Sequence, residues 1–193
     1  MSIARVRLEE PPTAIRPTEL ADAAAQGRLR AANRHHTEPW DPIRDTSFYS
    51  ESGQRLELDL DRRAWASGTA YAFAVLDLDA GERLVGRVAL SNVVRGPWQS
   101  ANLGYWISAD AGGRGHATRA VRLVVRFAFE HAGLHRVQPA IIPRNARSVA
   151  VARHVGFRLE GHAKRYLRIN GTWEDHDIYA LTVEDWERIP PTM

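Results

Sequence analysis

"GGRGHAT", residues 112–118, stands directly before the apolar run "RAVRLVVRFAFEHA" of residues 119–132. Three glycines crowd the point where a helix begins. Glycine there is either a plain turn or a device that brings bare backbone N–H groups up to a ligand. Just upstream, "NLGYWIS" (102–108) reads as a strand, so the segment is strand, loop, helix. Such a connection makes an anion site, because N–H groups at the helix start point outward unpaired and the helix dipole adds positive potential. Arg114 and Arg119 flank it with full charges. The loop lacks the Lys-Ser/Thr pair of a nucleoside-triphosphate loop, which argues against Mg-assisted phosphoryl transfer. It also lacks G-x-G-x-x-G spacing after a first strand, so a dinucleotide fold fits poorly.

Working outward, the helix after the glycines sets Ala117, Ala120, Val121, Val124 and Ala128 on one stripe and Arg119, Arg122 and Arg126 on another. Upstream, Ala14 to Arg16 reads as a short strand, followed after Pro17 by a helix with Thr18 as its N-cap. "NRHHTEPWDPIRD" (33–45) reads as a polar loop broken by Pro39 and Pro42. Arg55 to Ser67 reads as a helix with Leu56, Leu60 and Trp65 on one side. Tyr71, Phe73 and Val75 alternate as a strand, "DLDAGE" (77–82) is a turn, and "RLVGRVALSNVV" (83–94) is the next strand. "RVQPAIIP" (136–143) is another. Asn145 then caps a helix that stops at Gly156. A terminal hairpin turns at Asn170-Gly171, the signal of a type I′ turn. Hairpin strands followed by strand–helix–strand–helix–strand predict an α/β (α+β) sandwich around a mixed, mostly antiparallel sheet.

The 193 residues suit one domain, taken as 1–193, with 44% hydrophobic and 25% charged residues as in globular proteins. No apolar run is long enough to span a membrane, and "MSIARVRLEEPPT" (1–13) holds no apolar stretch fit for a secretory signal. The absence of cysteine excludes disulfides, zinc–thiolate sites and thiolate nucleophiles, and suits a cytoplasmic setting. The net charge of +3 and pI near 9.7 are consistent with a polyanionic ligand or with working near nucleic acid, and equally with an arginine-rich GC-biased genome.

"LGYWISADAGGRGHATRAV" (103–121) and "RVQPAIIPRNARSVAVARHVGFRLEG" (136–161) resemble the GNAT acetyltransferases. "NRHHTEPWDPIRD", "SNVVRGPWQSANLGYWI" (91–107) and "LRINGTWEDHDIYALT" (167–182) resemble, within that superfamily, the RimJ/RimL ribosomal-protein N-terminal acetyltransferases, and the alanine-directed RimJ branch most. The likeness runs from about Ile15 to Trp186. It implies a twisted sheet with a splayed central strand pair, helices on both faces, and acetyl-CoA as cosubstrate with no metal.

Residue by residue, the resemblance implies that Gly113 and the backbone N–H groups of Arg114, Gly115, His116, Ala117 and Thr118 receive the pyrophosphate. Gly112 stands where the family usually has a polar side chain. Trp106 and Ile107 resemble the strand residues whose backbone pairs with the pantetheine arm and polarises the thioester carbonyl. Asn145 matches an asparagine that contacts pantetheine, and it also reads as a simple N-cap. Many family members carry an acid tyrosine where this chain has Ala152; Ser148 is the next candidate for acid and for cofactor contact. A glutamate base common in the family is replaced by Asn102, but an α-amine with a pKa of about 8 needs no strong base. Proton removal through water to His35, His36, Glu38 or Asp41 is expected, with Trp40 as the apolar wall of an acceptor pocket. The alternative for the histidines is a solvated loop, and for Trp40 ordinary core packing. Asp175, His176 and Asp177 cluster in sequence, but alternate strand residues face opposite sides, so no metal site is expected.

The resulting expectation is direct acetyl transfer in a ternary complex to a primary amine, with a protein N-terminus, plausibly ribosomal, as acceptor. The rival readings are a small-amine, antibiotic or polyamine acetyltransferase of the same fold, or a non-catalytic acyl-CoA-binding module. No direct reading of nucleic acid and no membrane contact are expected, and a homodimer is left open.

Overall fold

The computed structural model describes residues 6–189. In chain order these form β1 (Leu8–Glu10), β2 (Thr13–Pro17), α1 (Ala23–Ala32), α2 (Arg34–Thr37), α3 (Glu51–Ser67), β3 (Tyr71–Asp77), β4 (Arg83–Val94), β5 (Ser100–Ile107), α4 (His116–Glu130), β6 (Arg136–Ile141), α5 (Ala146–Val155), β7 (Arg158–Ile169), β8 (Thr172–Thr182) and α6 (Val183–Trp186). The eight strands form one mixed sheet in the order β1-β2-β3-β4-β5-β6-β8-β7. Every neighbouring pair is antiparallel except β5 and β6. This is the expected class.

All seven residues of β3 are buried, as a strand covered on both faces must be. Tyr71 and Phe73 turn toward α4, where Phe127 meets their rings at 5.1 and 4.9 Å. Phe127 is fully buried, and truncating such a ring to alanine costs about 3–5 kcal/mol. On the opposite face α1 and most of α3 cover the sheet, while the Trp65 end of α3 reaches the Tyr71, Phe73 and Phe127 rings. Arg30 of α1 lies over the Trp106 ring, and Asp61 of α3 pairs with Arg87 of β4 at 2.6 Å. The arginine stripe of α4 is partly exposed, and its apolar stripe is buried apart from the half-buried Ala117.

Three local expectations are corrected. Thr18 is not a helix cap: its N–H still pairs with the Ala72 carbonyl beyond the strand end. The chain instead turns through a 3₁₀ segment, Leu20–Asp22, capped by Glu19 with Asp22 reaching back to the Glu19 N–H. Residues 33–45 are not all loop, because α2 makes a helical turn within them. On α3, Leu56 and Leu60 face solvent at 70% and 59% exposure, while Gln54 and Leu58 are buried. The inward stripe runs Gln54, Leu58, Asp61, Trp65, the last two half-buried. Two of its four positions are polar, which hid it from a hydrophobic pattern. Gln54 is tolerated inside because Gln26 donates to its carbonyl and it donates to the Phe48 carbonyl.

The feature that makes a site is where β5 and β6 part. Their parallel pairing runs only from Ser100–Arg136 to Leu103–Pro139. Pro139 has no N–H to extend the ladder. Beyond it, β5 continues alongside β4 as far as Ile107, and β6 alongside β8 as far as Ile141. A gap opens through the sheet between them.

Candidate active site

A cavity of about 1210 Å³ occupies that gap and draws its walls from both faces of the sheet. One side is lined by the glycine loop, the start of α4 and the start of α5. The other is lined by His36, Thr37, Trp40 and Asp41, by Trp106 and by His176. Side chains alternate along β5, so Tyr105 turns toward α5 and Trp106 toward α1.

On the α4 side the loop is shaped by backbone. Gly113 and Gly115 hold φ of 77° and 82°, which disfavours residues with a Cβ. Gly115 is the N-cap of α4 and no side chain caps the helix. The first N–H groups of α4, at His116, Ala117 and Thr118, therefore lack intrahelical partners beside the cavity. Side chains pin the loop from behind. His116 is 1% exposed, with Nδ1 2.8 Å from Thr13 Oγ1 and Nε2 3.5 Å from Asp77 Oδ2. Burial lowers the His116 pKa, and Asp77 partly opposes this. Arg114 donates to Asp77 Oδ2 at 3.0 Å and its residue is not part of the cavity wall. Thr13 and Asp77 carry no local signal in the sequence: Thr13 lies 103 residues from its partner, and Asp77 opens a predicted turn.

At α5, the Asn145 side-chain oxygen accepts the Ser148 N–H at 3.2 Å, the cap expected. Its amide NH₂ remains as a donor, and the residue lines the cavity with Ser148. Ser148 is half-buried, and Ala152 is buried. Tyr105, which sequence reasoning did not single out, donates to the Ser148 carbonyl at 3.4 Å. Burial pushes its phenol up to about 12, so it stays protonated at neutral pH.

On the opposite side the predicted loop residues divide. His36, Trp40 and Asp41 reach the cavity wall. His35 is almost fully exposed and Glu38 is held by Arg34 at 3.2 Å; the structure brings neither to the cavity. Trp40 is half-buried with the Arg144 guanidinium 5.2 Å from its ring, and Arg144 pairs with Glu174 at 2.9 Å. Asp41 accepts from Arg30 Nη1 at 3.2 Å through its side chain and from Asn170 N–H at 2.9 Å through its backbone. The hairpin turn, with φ of 43° at Asn170 and 82° at Gly171, thereby closes on the segment that carries Asp41. Arg30 also escaped the sequence reading. Desolvation lowers its pKa to about 10, which leaves it a cation at neutral pH.

His162 sits between Asp177 and Asp175, at 2.9 and 3.1 Å, and both raise its pKa. His176 turns the other way, into the cavity. Among the described residues no group of three or more His, Asp or Glu is placed to hold a metal ion, and no helix is long and apolar enough to cross a membrane.

The acetyltransferase (GNAT) domain family matches residues 13–158. The [ribosomal protein uS5]-alanine N-acetyltransferase of Escherichia coli K12 is 35% identical over 185 residues, covering 96% of this chain and 95% of its own. The structure of ribosomal-protein-S5-alanine acetyltransferase from Vibrio fischeri superposes with a TM-score of 0.87 at 34% identity, covering 94% of this chain and 98% of that one. Mycobacterium smegmatis RimJ in complex with CoA-disulfide also gives 0.87 and 34%, covering 94% and 88%.

Proposed function

The chain belongs to the GNAT acetyltransferase family and is an acetyl-CoA-dependent N-acetyltransferase, and we propose that its acceptor is the N-terminal α-amine of a ribosomal protein beginning with alanine. The observation that carries this reading is the cavity that passes through the sheet, since two substrates can then meet from opposite faces. Its supporting context is the name of the E. coli relative, whose acceptor is alanine on a ribosomal protein. On this reading residues 1–193 work as one domain, in the cytoplasm, where acetyl-CoA and ribosomal proteins coexist.

Acetyl-CoA supplies the thioester that is transferred. The residues present fit it: uncapped N–H groups at the start of α4 suit a pyrophosphate, and the β5 edge freed beyond Leu103 suits an amide-bearing arm. In this assignment the loop of Gly113, Gly115, His116, Ala117 and Thr118 cradles the phosphates, and Arg114, expected among them, is instead tied back to Asp77 off the cavity wall. Trp106 and Ile107 offer backbone pairing, and a β5 N–H polarises the carbonyl. The Asn145 amide holds the arm. Ser148 stands as the acid for the departing sulfur. Trp40, His36 and Asp41 receive the acceptor. The amine attacks directly, as the family resemblance implies, and the chain has no cysteine to carry the acyl group.

The test is release of CoA with an alanine-starting peptide, a polyamine and an aminoglycoside as acceptors, with mass spectrometry locating the acetyl group. Acetylation of the peptide α-amine is expected. Turnover with the small amines alone would replace the protein acceptor, and no turnover with any would leave only a CoA-binding module.

A further inference from the structure

We propose that Arg30 is a positioning residue which makes Asp41 a charge-balanced dock for the acceptor's amine; this rests on the protein-N-terminus reading above. Among the described residues three buried side-chain polar atoms lack a partner: Gln26 Oε1, Arg30 Nε and Trp106 Nε1. Two of them belong to one stacked pair, with the Arg30 guanidinium 4.0 Å from the Trp106 ring centroid. Trp106 lines the cavity, and Arg30, which does not, stacks on its ring with a side chain only 9% exposed. Two unpaired donors mark a cluster not arranged for stability alone.

The contact Arg30 does make points to a use. It reaches Asp41 by a single hydrogen bond of 3.2 Å, not the two-pronged grip that makes arginine–carboxylate pairs strong. A buried pair of that geometry gains little for folding. Asp41 is on the cavity wall with its carboxylate 31% exposed, and its second oxygen is free to accept from a ligand. Around this pair Arg144 lies over the Trp40 ring and is held by Glu174, and three further arginines lie nearby. Arg87 is held by Asp61, Arg44 lies over Phe48, and Arg34 lies over Tyr49. His36 shares the wall.

An amine arrives at neutral pH mostly as ammonium and must lose a proton before it attacks. A lone carboxylate would capture it but would also hold the proton on, since an opposite charge favours the charged form. A carboxylate balanced by a fixed guanidinium presents an acceptor oxygen with little net field. The amine is then oriented by hydrogen bond and releases its proton to water at close to its own pKa. Arg30 touches neither substrate in this scheme; it acts through Asp41.

The measurement is acetyl transfer in a single turnover with saturating alanine-starting peptide, followed across pH, together with the peptide and acetyl-CoA KM values. In Arg30→Met the rate should reach its plateau at a pH higher by at least about half a unit, with peptide KM no weaker. Arg30→Lys should restore the wild-type midpoint. Asp41→Asn should raise peptide KM about fivefold or more without moving the midpoint upward. Arg30→Met combined with Asp41→Asn should return the midpoint to that of wild type. An unmoved midpoint in Arg30→Met, or a rise in peptide KM alone, would overturn the proposal and leave Arg30 as packing. Should Arg30→Met fail to fold, the double variant and Arg30→Lys carry the test: a displaced midpoint in either overturns it. Absence of peptide turnover in wild type would instead sink the acceptor reading.

Discussion

On the α4 side of the cavity, the groups that face a ligand are backbone N–H donors of consecutive residues, His116 to Thr118, with side chains such as Thr13 and Asp77 acting only from behind. On the Trp106 side they are residues from separate segments, His36 of α2, Asp41 after it and Trp106 of β5, with Arg30 of α1 behind them against Asp41. A backbone cradle is indifferent to most side chains and demands only that the chain bend in one way. It suits a cosubstrate that never changes. A side-chain cluster can be retuned one residue at a time. The two sides should therefore fail differently when altered.

The largest effect is expected at Gly115. Its φ of 82° is strained for any residue with a Cβ, and an added Cβ would lie 2.4 Å from Arg119 Nη1. Gly115→Val should raise the acetyl-CoA KM at least about tenfold, equivalent to about 1.4 kcal/mol, while peptide KM holds. The Arg119 tip can swing away, so Arg119→Ala in that background separates crowding from backbone strain by how much affinity returns. Equal losses for both substrates would erase the contrast between the two sides.

Asn145→Ala should come next. Loss of the cap to Ser148 N–H costs about 1 kcal/mol of stability, read by denaturant unfolding. If the amide also holds the cofactor arm, acetyl-CoA KM rises several-fold with no change for peptide. A stability loss with unaltered kinetics would reduce Asn145 to its cap.

These two positions were legible in the sequence because each is a local rule. Glycines before a helix, an asparagine before another, and Asn-Gly between strands each act within a few residues, and β4 and the Asn170-Gly171 turn fall where the pattern put them. The misses share a different cause. Leu56 and Leu60 drew the α3 face the wrong way because its true stripe includes Gln54 and Asp61, made tolerable by partners elsewhere in the chain. Asp77 looked like a turn residue until the fold placed Arg114 and His116 against it. Arg30 carries no local signal at all: it matters only once α1 lies on β5. The family resemblance implies cofactor residues one by one, and on the other side only a loop with several candidates, for the same reason.

A smaller effect tests how the cradle is pinned. Burial depresses the His116 pKa, so the unfolded chain binds a proton there more readily than the fold does. The stability this gives is full above the unfolded value of about 6.5 and is lost as pH falls through the folded value. Urea unfolding at pH 7.5 and 5.5 should show wild type losing stability on acidification, and His116→Asn losing less. His162, raised by its two aspartates, works in the opposite sense, but it is exposed and is present in both proteins. An identical pH dependence in the two proteins would mean that His116 does not feel its burial.

The smallest effect is the one that divides the acceptor loop most finely. Glu38 and Asp41 are three residues apart in the same loop and carry the same charge, so the sequence could not choose between them. Asp41 lies on the cavity wall, whereas Glu38 pairs with Arg34 along α2 and stands outside it. An i,i+4 pair on a helix surface is worth about 0.3–0.5 kcal/mol, and α2 is a single turn held by its neighbours. Glu38→Gln should therefore leave peptide and acetyl-CoA KM within about twofold of wild type. Bulk salt should not substitute for that result, since screening weakens Glu38 and the protein surface alike. If Glu38→Gln weakened the peptide as much as Asp41→Asn, the acceptor would be gripping the outer face of the loop. Recognition would then begin at the surface before the cavity is reached, and the line between the two carboxylates would have to be redrawn there.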